Sequence, residues 1–278
     1  CKVKDVYKAL IIEEHKVKQV IESDVVKAVS LTGSEKAGSA VAMLAGKEIK
    51  KTVLELGGSD PYIVLNDANL KICSKTAVNA RFFNAGQSCI AAKRFLVQDR
   101  IYDEFLYNIK ERISKLIVGN PMDENTQIGP LAKKEFVNKI HEYVESSISK
   151  GAVCEFGGEI LGCYYYPTLL TNIKPDMDVF KEETFGPIFC VLKFSDVEEA
   201  INLANQTKYG LGGSIWSTDI KLAKDIANQI DAGSIFINDM TKSDPRLPFG
   251  GVNKSGYGKE LSRYGILEFV NIKTIVVK

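Results

Sequence analysis

The stretch Val25-Val26-Lys27-Ala28-Val29-Ser30-Leu31-Thr32-Gly33-Ser34, followed by a small-residue run and then Thr52-Val53-Leu54-Glu55-Leu56-Gly57-Gly58, sets the fold class. Residues 25–31 are a β-branched run that predicts a short strand. It closes on Thr32-Gly33-Ser34, where Ser34 is placed to cap a helix over 35–45. Residues 52–56 predict a second strand ending at Gly57-Gly58. Residues 62–65 predict a third, after a turn at Asp60-Pro61. Strands alternating with helices mark an α/β architecture.

The alternation continues outward from this segment. Apolar residues at helical spacing predict a helix over 70–83, running out before Asn84-Ala85-Gly86. Strands are predicted at 95–98, 189–194 and 234–238, with Ile215 at the centre of another. Helices are predicted at 102–116, 133–150, 197–206 and 220–230; the second of these ends at Gly151. His141 falls among charged neighbours in the 133–150 helix and reads as a surface residue. Residues 271–278 form a β-branched tail, which reads as a strand open to pairing with another chain.

Composition is that of an ordinary globular protein, with 45% apolar and 26% charged residues and a net charge of +1. The lysines are scattered among glutamates, so neither a nucleic acid nor an anionic membrane is an expected partner. No apolar run approaches a membrane span, and no signal peptide is visible. The six cysteines, at 1, 73, 89, 154, 163 and 190, show no metal-ligand spacing. They are expected to be reduced thiols of a cytoplasmic protein, packing residues in every case but Cys89. Residue 1 is Cys rather than Met, which reads as a processed start or as the cut end of a longer chain.

Cys89 ends the run Phe83-Asn84-Ala85-Gly86-Gln87-Ser88-Cys89, and Glu55 precedes its glycine pair thirty-four positions upstream. A thiol reached through a glycine turn, with a carboxylate before a second glycine turn, suits covalent catalysis at an acyl-type carbon. The only histidines are His15 and His141, which leaves a Cys–His protease little to work with. Backbone N–H groups and a helix terminus near the glycine turn are expected to favour the thiolate. Thr32-Gly33-Ser34 is either a capped helix start or a phosphate-facing helix N-terminus, and the usual GxGxxG fingerprint is absent. Lys181-Glu182-Glu183-Thr184-Phe185-Gly186-Pro187 reads by itself as a charged turn entering a strand. The glycine-rich block 248–261 marks a tightly packed loop.

Taken together, these motifs resemble the aldehyde dehydrogenase superfamily, and residues 243–278 look most like its succinate-semialdehyde dehydrogenase branch. The resemblance implies that Cys89 attacks an aldehyde to give a thiohemiacetal, and that its backbone N–H helps hold the oxyanion. Hydride then passes to NAD or NADP, and Glu55 activates the water that hydrolyses the thioester. It also implies cofactor contacts from Thr32, Gly33, Ser34, Leu56 and Gly57, with Glu183 on the nicotinamide ribose and Phe185 beside the ring. Arg246 is either the partner of a substrate carboxylate or a structural arginine.

The resemblance begins near Val20 and covers only the C-terminal three-fifths of a family member. It implies a remnant of a doubly wound dinucleotide-binding domain over 1–56 and a catalytic thiol domain over 57–254. Residues 255–278 would return to the cofactor domain and leave as an oligomerisation strand. The expected partners are a small aldehyde and either a second copy or a missing N-terminal segment. With most of the cofactor domain lacking, the chain alone is expected to be a poor or inactive dehydrogenase. The alternatives are a truncated non-catalytic paralogue and a cofactor-free thiol hydrolase using Cys89 and Glu55.

Overall fold

The computed structural model describes residues 6–278, so Cys1 lies outside the described residues. After a short α1 (Val17–Glu22), the chain forms β1 (Ala28–Thr32), α2 (Glu35–Lys47) and β2 (Lys51–Glu55). Ser34 caps α2 as the sequence predicts, its Oγ accepting the Ala37 N–H at 3.2 Å. β1 and β2 pair in parallel, with Thr32 opposite Glu55 at their C-terminal ends. Gly38 lets α2 close on this sheet, because a Cβ there would lie 2.6 Å from a Leu56 methyl.

A larger layer begins with β3 (Asp60–Val64), α3 (Leu70–Phe82), β4 (Ala92–Gln98) and α4 (Tyr102–Ile113). Next come α5 (Lys134–Ser149), β5 (Val153–Phe156), the small hairpin β6 (Ile160–Leu161) and β7 (Tyr164–Tyr165), and β8 (Thr168–Thr171). One turn of helix, α6 (Asp178–Lys181), leads through a loop to β9 (Ile188–Phe194). The chain continues through α7 (Val197–Asn205), β10 (Gly212–Trp216), α8 (Ile220–Ala227) and β11 (Ser234–Ile237). A long loop then returns to β12 (Gly256–Tyr257) and α9 (Ser262–Leu267).

Two sheets organise these elements. β1, β2 and β12 form one, with β12 antiparallel to β2 and Gly256 opposite Glu55. The other has the order β11-β10-β3-β4-β9-β8-β5, parallel throughout except for β5. β3, β10 and most of β4 and β9 are buried, as parallel strands covered on both faces must be. Phe95 and Phe189 stack at 3.7 Å between ring centroids on adjacent strands, and Tyr62 stacks on Trp216 at 5.6 Å.

The expected turn at Asp60-Pro61 is instead the start of β3, with a register shift between the two residues. That irregularity accommodates the proline at the strand's first positions. His141 is not a surface residue. α5 turns Val137, Ile140 and Val144 inward, and the ring beside them lies 6.2 Å from that of buried Tyr165, with Nδ1 shielded from water. α8 stops three residues short of 230 because the Asn205 side chain takes over the following backbone, donating to Gln229 O and accepting from Asp231 N–H. Residues 271–278 adopt no regular element, are exposed, and pair with none of the described strands. Cys73 and Cys190 are packing residues as expected, but Cys154 is exposed. Among the described residues, no helix is long and apolar enough to cross a membrane.

Candidate active site at the junction of the two sheets

Both key side chains are delivered to one place by strand ends of opposite polarity. Thr32 and Glu55 close the C-terminal ends of β1 and β2, whereas Cys89 and Gly58 stand just before β4 and β3. Glu183 arrives on the loop preceding β9. The junction is therefore the C-terminal edge of one sheet facing the N-terminal edge of the other.

The Cys89 turn is shaped by its backbone. Past the end of α3, Asn84, Ala85 and Gly86 hold φ values of 51°, 53° and 74°, three left-handed residues in succession. For a buried alanine such a conformation costs roughly 1–2 kcal/mol and persists only where the surroundings impose it. Here they do. Asn84 Nδ2 donates to Gln87 O at 2.9 Å, and Gln87 Oε1 accepts the Ala132 N–H at 2.9 Å. Gly86 packs directly on the Gly186 carbonyl, where no Cβ fits. Fully buried Arg81 ties the same two loops together, donating to Ala92 O at 3.0 Å, to Thr184 O at 2.6 Å and to Gly186 O. Within the turn, the Cys89 N–H meets no acceptor among the described residues.

The Cys89 thiol and the Glu55 carboxylate lie close enough to act on each other's titration. Glu55 is only 3% exposed, and its Oε1 is buried with no partner. Burial raises its pKa above the usual carboxylate range, only partly offset by the Cys89 thiol. Burial and the adjoining Glu55 push the Cys89 thiol up to about 12. The sequence predicts the opposite direction for the thiol. Desolvation and a neighbouring carboxylate outweigh the pull of Lys93, so the thiol is protonated here.

The remaining predicted residues divide by position. Leu56 and Gly57 are buried beside Glu55, while Thr32, Gly33 and Ser34 are exposed along the end of β1, with the Gly33 N–H held by Glu55 O at 2.9 Å. Glu183 folds onto the glycine pair, its Oε1 accepting the Gly58 N–H at 3.0 Å. A Cβ on Gly57 would overlap its Oε2. Phe185 is half-buried on the same loop. Arg246 stands apart from these, 85% exposed and held by Asp244 through both carboxylate oxygens.

Besides Arg81, three buried charges lie outside what the sequence predicts. Lys93 Nζ donates to Cys89 O at 2.9 Å, Ala91 O at 3.0 Å and Ser88 O at 3.3 Å, and lies 3.8 Å from Glu183 Oε1. Arg94 donates to Ser59 O and to Leu203 O and Ala204 O, capping the last turn of α7. Asp60 accepts the Gly212 N–H at 3.0 Å, and burial raises its carboxyl to about 6. A charged residue within an otherwise apolar strand is the signal that points to them.

A cavity of about 230 Å³ adjoins the thiol turn, walled by Phe83, Ser88 and Ile90 on one side and Met240, Thr241, Lys242 and Ser243 on the other. A larger one, about 770 Å³, runs between α3 and α4 and shares only Phe83 with it. Its wall includes neither neighbour of Cys89, so the smaller cavity is the one placed for chemistry.

A thiol, a buried carboxylate and an acid folded onto a glycine pair thus meet where the two sheets adjoin. The chain belongs to the aldehyde dehydrogenase family, whose model matches residues 4–275. It is 47% identical over 274 residues to succinate-semialdehyde dehydrogenase [NADP(+)] 1 of Mycobacterium ulcerans, covering 98% of this chain and 60% of that one. A probable succinate-semialdehyde dehydrogenase [NADP(+)] of Synechocystis is 48% identical over 272 residues, with 97% and 60% covered. Among solved structures, the succinic semialdehyde dehydrogenase of Streptococcus pyogenes in complex with NADP+ superposes with a TM-score of 0.93 at 40% identity, covering 96% of this chain and 60% of that one. The betaine aldehyde dehydrogenase of Staphylococcus aureus in complex with NAD+ gives 0.87 at 36% identity, with 91% and 52% covered. The chain thus spans about three-fifths of the length of the curated relatives it matches.

Proposed function

We propose that this chain carries the catalytic machinery of an NAD(P)+-dependent aldehyde dehydrogenase acting on succinate semialdehyde or a similar small aldehyde. The observation that carries the reading is the Cys89–Glu55 pair: a thiol beside a buried carboxylate that keeps one oxygen unpartnered. Glu55 takes the thiol proton as Cys89 Sγ bonds to the aldehyde carbon, and the unclaimed Cys89 N–H faces the developing oxyanion. Bound NAD(P)+ supplies the hydride acceptor that turns this adduct into a thioester. Glu55 then gives up the thiol proton to solvent, orients a water at the acyl carbon and accepts its proton; that proton passes to the departing Cys89 sulfur as the carboxylic acid is released.

The residues present fit the nicotinamide–ribose end of such a cofactor. Glu183 lies against bare backbone at Gly57, with Oε1 on the Gly58 N–H and Oε2 without side-chain competition, so it offers an acceptor to a ribose diol. The similarity to succinate-semialdehyde dehydrogenases [NADP(+)] favours NADP+. Residues 1–56 are proposed as part of the cofactor domain, 57–254 as the catalytic domain and 255–278 as the return and oligomerisation segment. The test is formation of NADPH from succinate semialdehyde by the purified protein; a protein that binds the nucleotide yet shows no aldehyde-dependent reduction overturns the reading.

Two predictions belong to this site. Gly57→Ala forces the Glu183 carboxylate away from its place. Losing one charged hydrogen bond to the ribose is expected to raise the KM for NADP+ about 10–100-fold while the KM for aldehyde moves little. Steady-state kinetics in both substrates checks this. The second concerns the substrate's far end. Arg246→Ala is expected to raise the KM for succinate semialdehyde about tenfold and to leave that of a neutral aldehyde of equal length unchanged. Lys242, on the cavity wall and paired with Asp239, is the control; if only Lys242→Ala has this effect, the carboxylate contact is its own.

A further inference from the structure

We infer that Lys93 is a positioning residue that holds the nucleophile turn and the ribose-facing carboxylate Glu183 in one frame, so that thiol and cofactor site keep a fixed relation. The inference rests on the cofactor reading of Glu183 given above.

Lys93 is the second residue of β4, and its side chain is completely buried. A buried ammonium is costly unless each of its N–H groups is used. All three are used here, and on one target. They go to the carbonyls of Ser88, Cys89 and Ala91, so the side chain curls back under the turn that carries the thiol. With its donors spent on carbonyls, Lys93 meets Glu183 as a charge rather than as a hydrogen-bond partner, at 3.8 Å from Oε1. That same oxygen takes the Gly58 N–H, so two positive ends fix Oε1 and leave Oε2 against Gly57.

The geometry explains why a lysine is used at this point. A neutral donor would satisfy the carbonyls but give Glu183 nothing, and Glu183 is 21% exposed at its side chain and free to swing outward. The groups facing Lys93 are Glu183, Asp60, Cys89 and Arg81. Burial lowers its pKa to about 8, while Glu183 and Asp60 act to keep the proton on. The positive charge also lies under Cys89, where it favours the thiolate against Glu55. One cation thereby acts on both halves of the reaction without touching substrate or cofactor.

The test compares Lys93→Gln, which keeps amide donors for the carbonyls but removes the charge, with Glu183→Gln and the double variant. Two quantities are read: the rate of Cys89 alkylation by iodoacetamide at pH 8 without nucleotide, and NADPH affinity by fluorescence titration. Lys93→Gln is expected to slow alkylation several-fold and to weaken NADPH binding to the extent that Glu183→Gln does. In the double variant the two losses in affinity should not add. Unchanged alkylation in a folded Lys93→Gln protein overturns the inference. So does a normal NADPH affinity in Lys93→Gln when Glu183→Gln has lost affinity, or losses that simply add. If Glu183→Gln binds NADPH normally while Lys93→Gln still slows alkylation, the hold on the thiol turn stands and the ribose reading of Glu183 falls. Lys93→Met, of similar length without donors or charge, serves as second variant should Lys93→Gln fail to fold, and the same directions apply.

Discussion

Replacing Cys89 with serine is expected to lower aldehyde oxidation by about 10⁴-fold or more while leaving NADPH affinity within a small factor of the original. The size follows from the role. A hydroxyl in this setting is a far weaker nucleophile than a thiol, and Glu55, even with its pKa raised by burial, is too weak a base to deprotonate it. The residual rate reports whatever the oxyanion donors and substrate binding achieve without covalent attachment. Fold stability should barely change, since the thiol is only partly buried and a hydroxyl fits the same space. Steady-state turnover with a thermal melt on the same sample checks both halves. A variant that kept a tenth of the activity would remove Cys89 from the chemistry.

Glu55→Gln is the second large effect. An amide accepts no proton, so both the activation of the thiol and the release of the thioester suffer, and general-base losses are about 10²–10⁴-fold. The acyl enzyme should accumulate because hydrolysis depends wholly on the activated water. The pH profile carries the same information in the unmutated protein. Only ionised Glu55 can accept a proton, and burial raises its pKa. Activity is therefore expected to be lost on the acid side at a pH above the usual carboxylate range, and to be regained as pH rises through that point. Glu55→Gln should abolish this acid limb. A profile that keeps the limb in Glu55→Gln assigns it to another group, of which buried Asp60 is the nearest candidate.

Much of this architecture is readable without coordinates because its signals are local. The Ser34 cap, the β-branched runs and the apolar spacing of α3, α5 and α7 each act over a few residues, and the structure returns them within a few positions. The thiol and carboxylate motifs are equally local. Lys93, Arg94 and Arg81 are not, because their partners are backbone carbonyls contributed by distant segments, which leave no trace in side-chain pattern. The direction of the thiol's pKa was misjudged for the same reason: motif chemistry shows the donors near a cysteine, whereas burial and the facing Glu55 are products of the assembled fold. The tail 271–278 has strand-like residues, yet a strand forms only where it pairs with an edge, and among the described residues the tail pairs with none.

The central claim is that Cys89 carries an acyl group that Glu55 releases. Its most direct test is intact-mass spectrometry of Glu55→Gln protein after exposure to succinate semialdehyde and NADP+, with peptide mapping of any adduct. The account predicts one added succinyl group per chain, located on Cys89, absent without NADP+ and absent in Cys89→Ser. Aldehyde-dependent NADPH formation with no adduct at Cys89, or with the adduct on another residue, would contradict it.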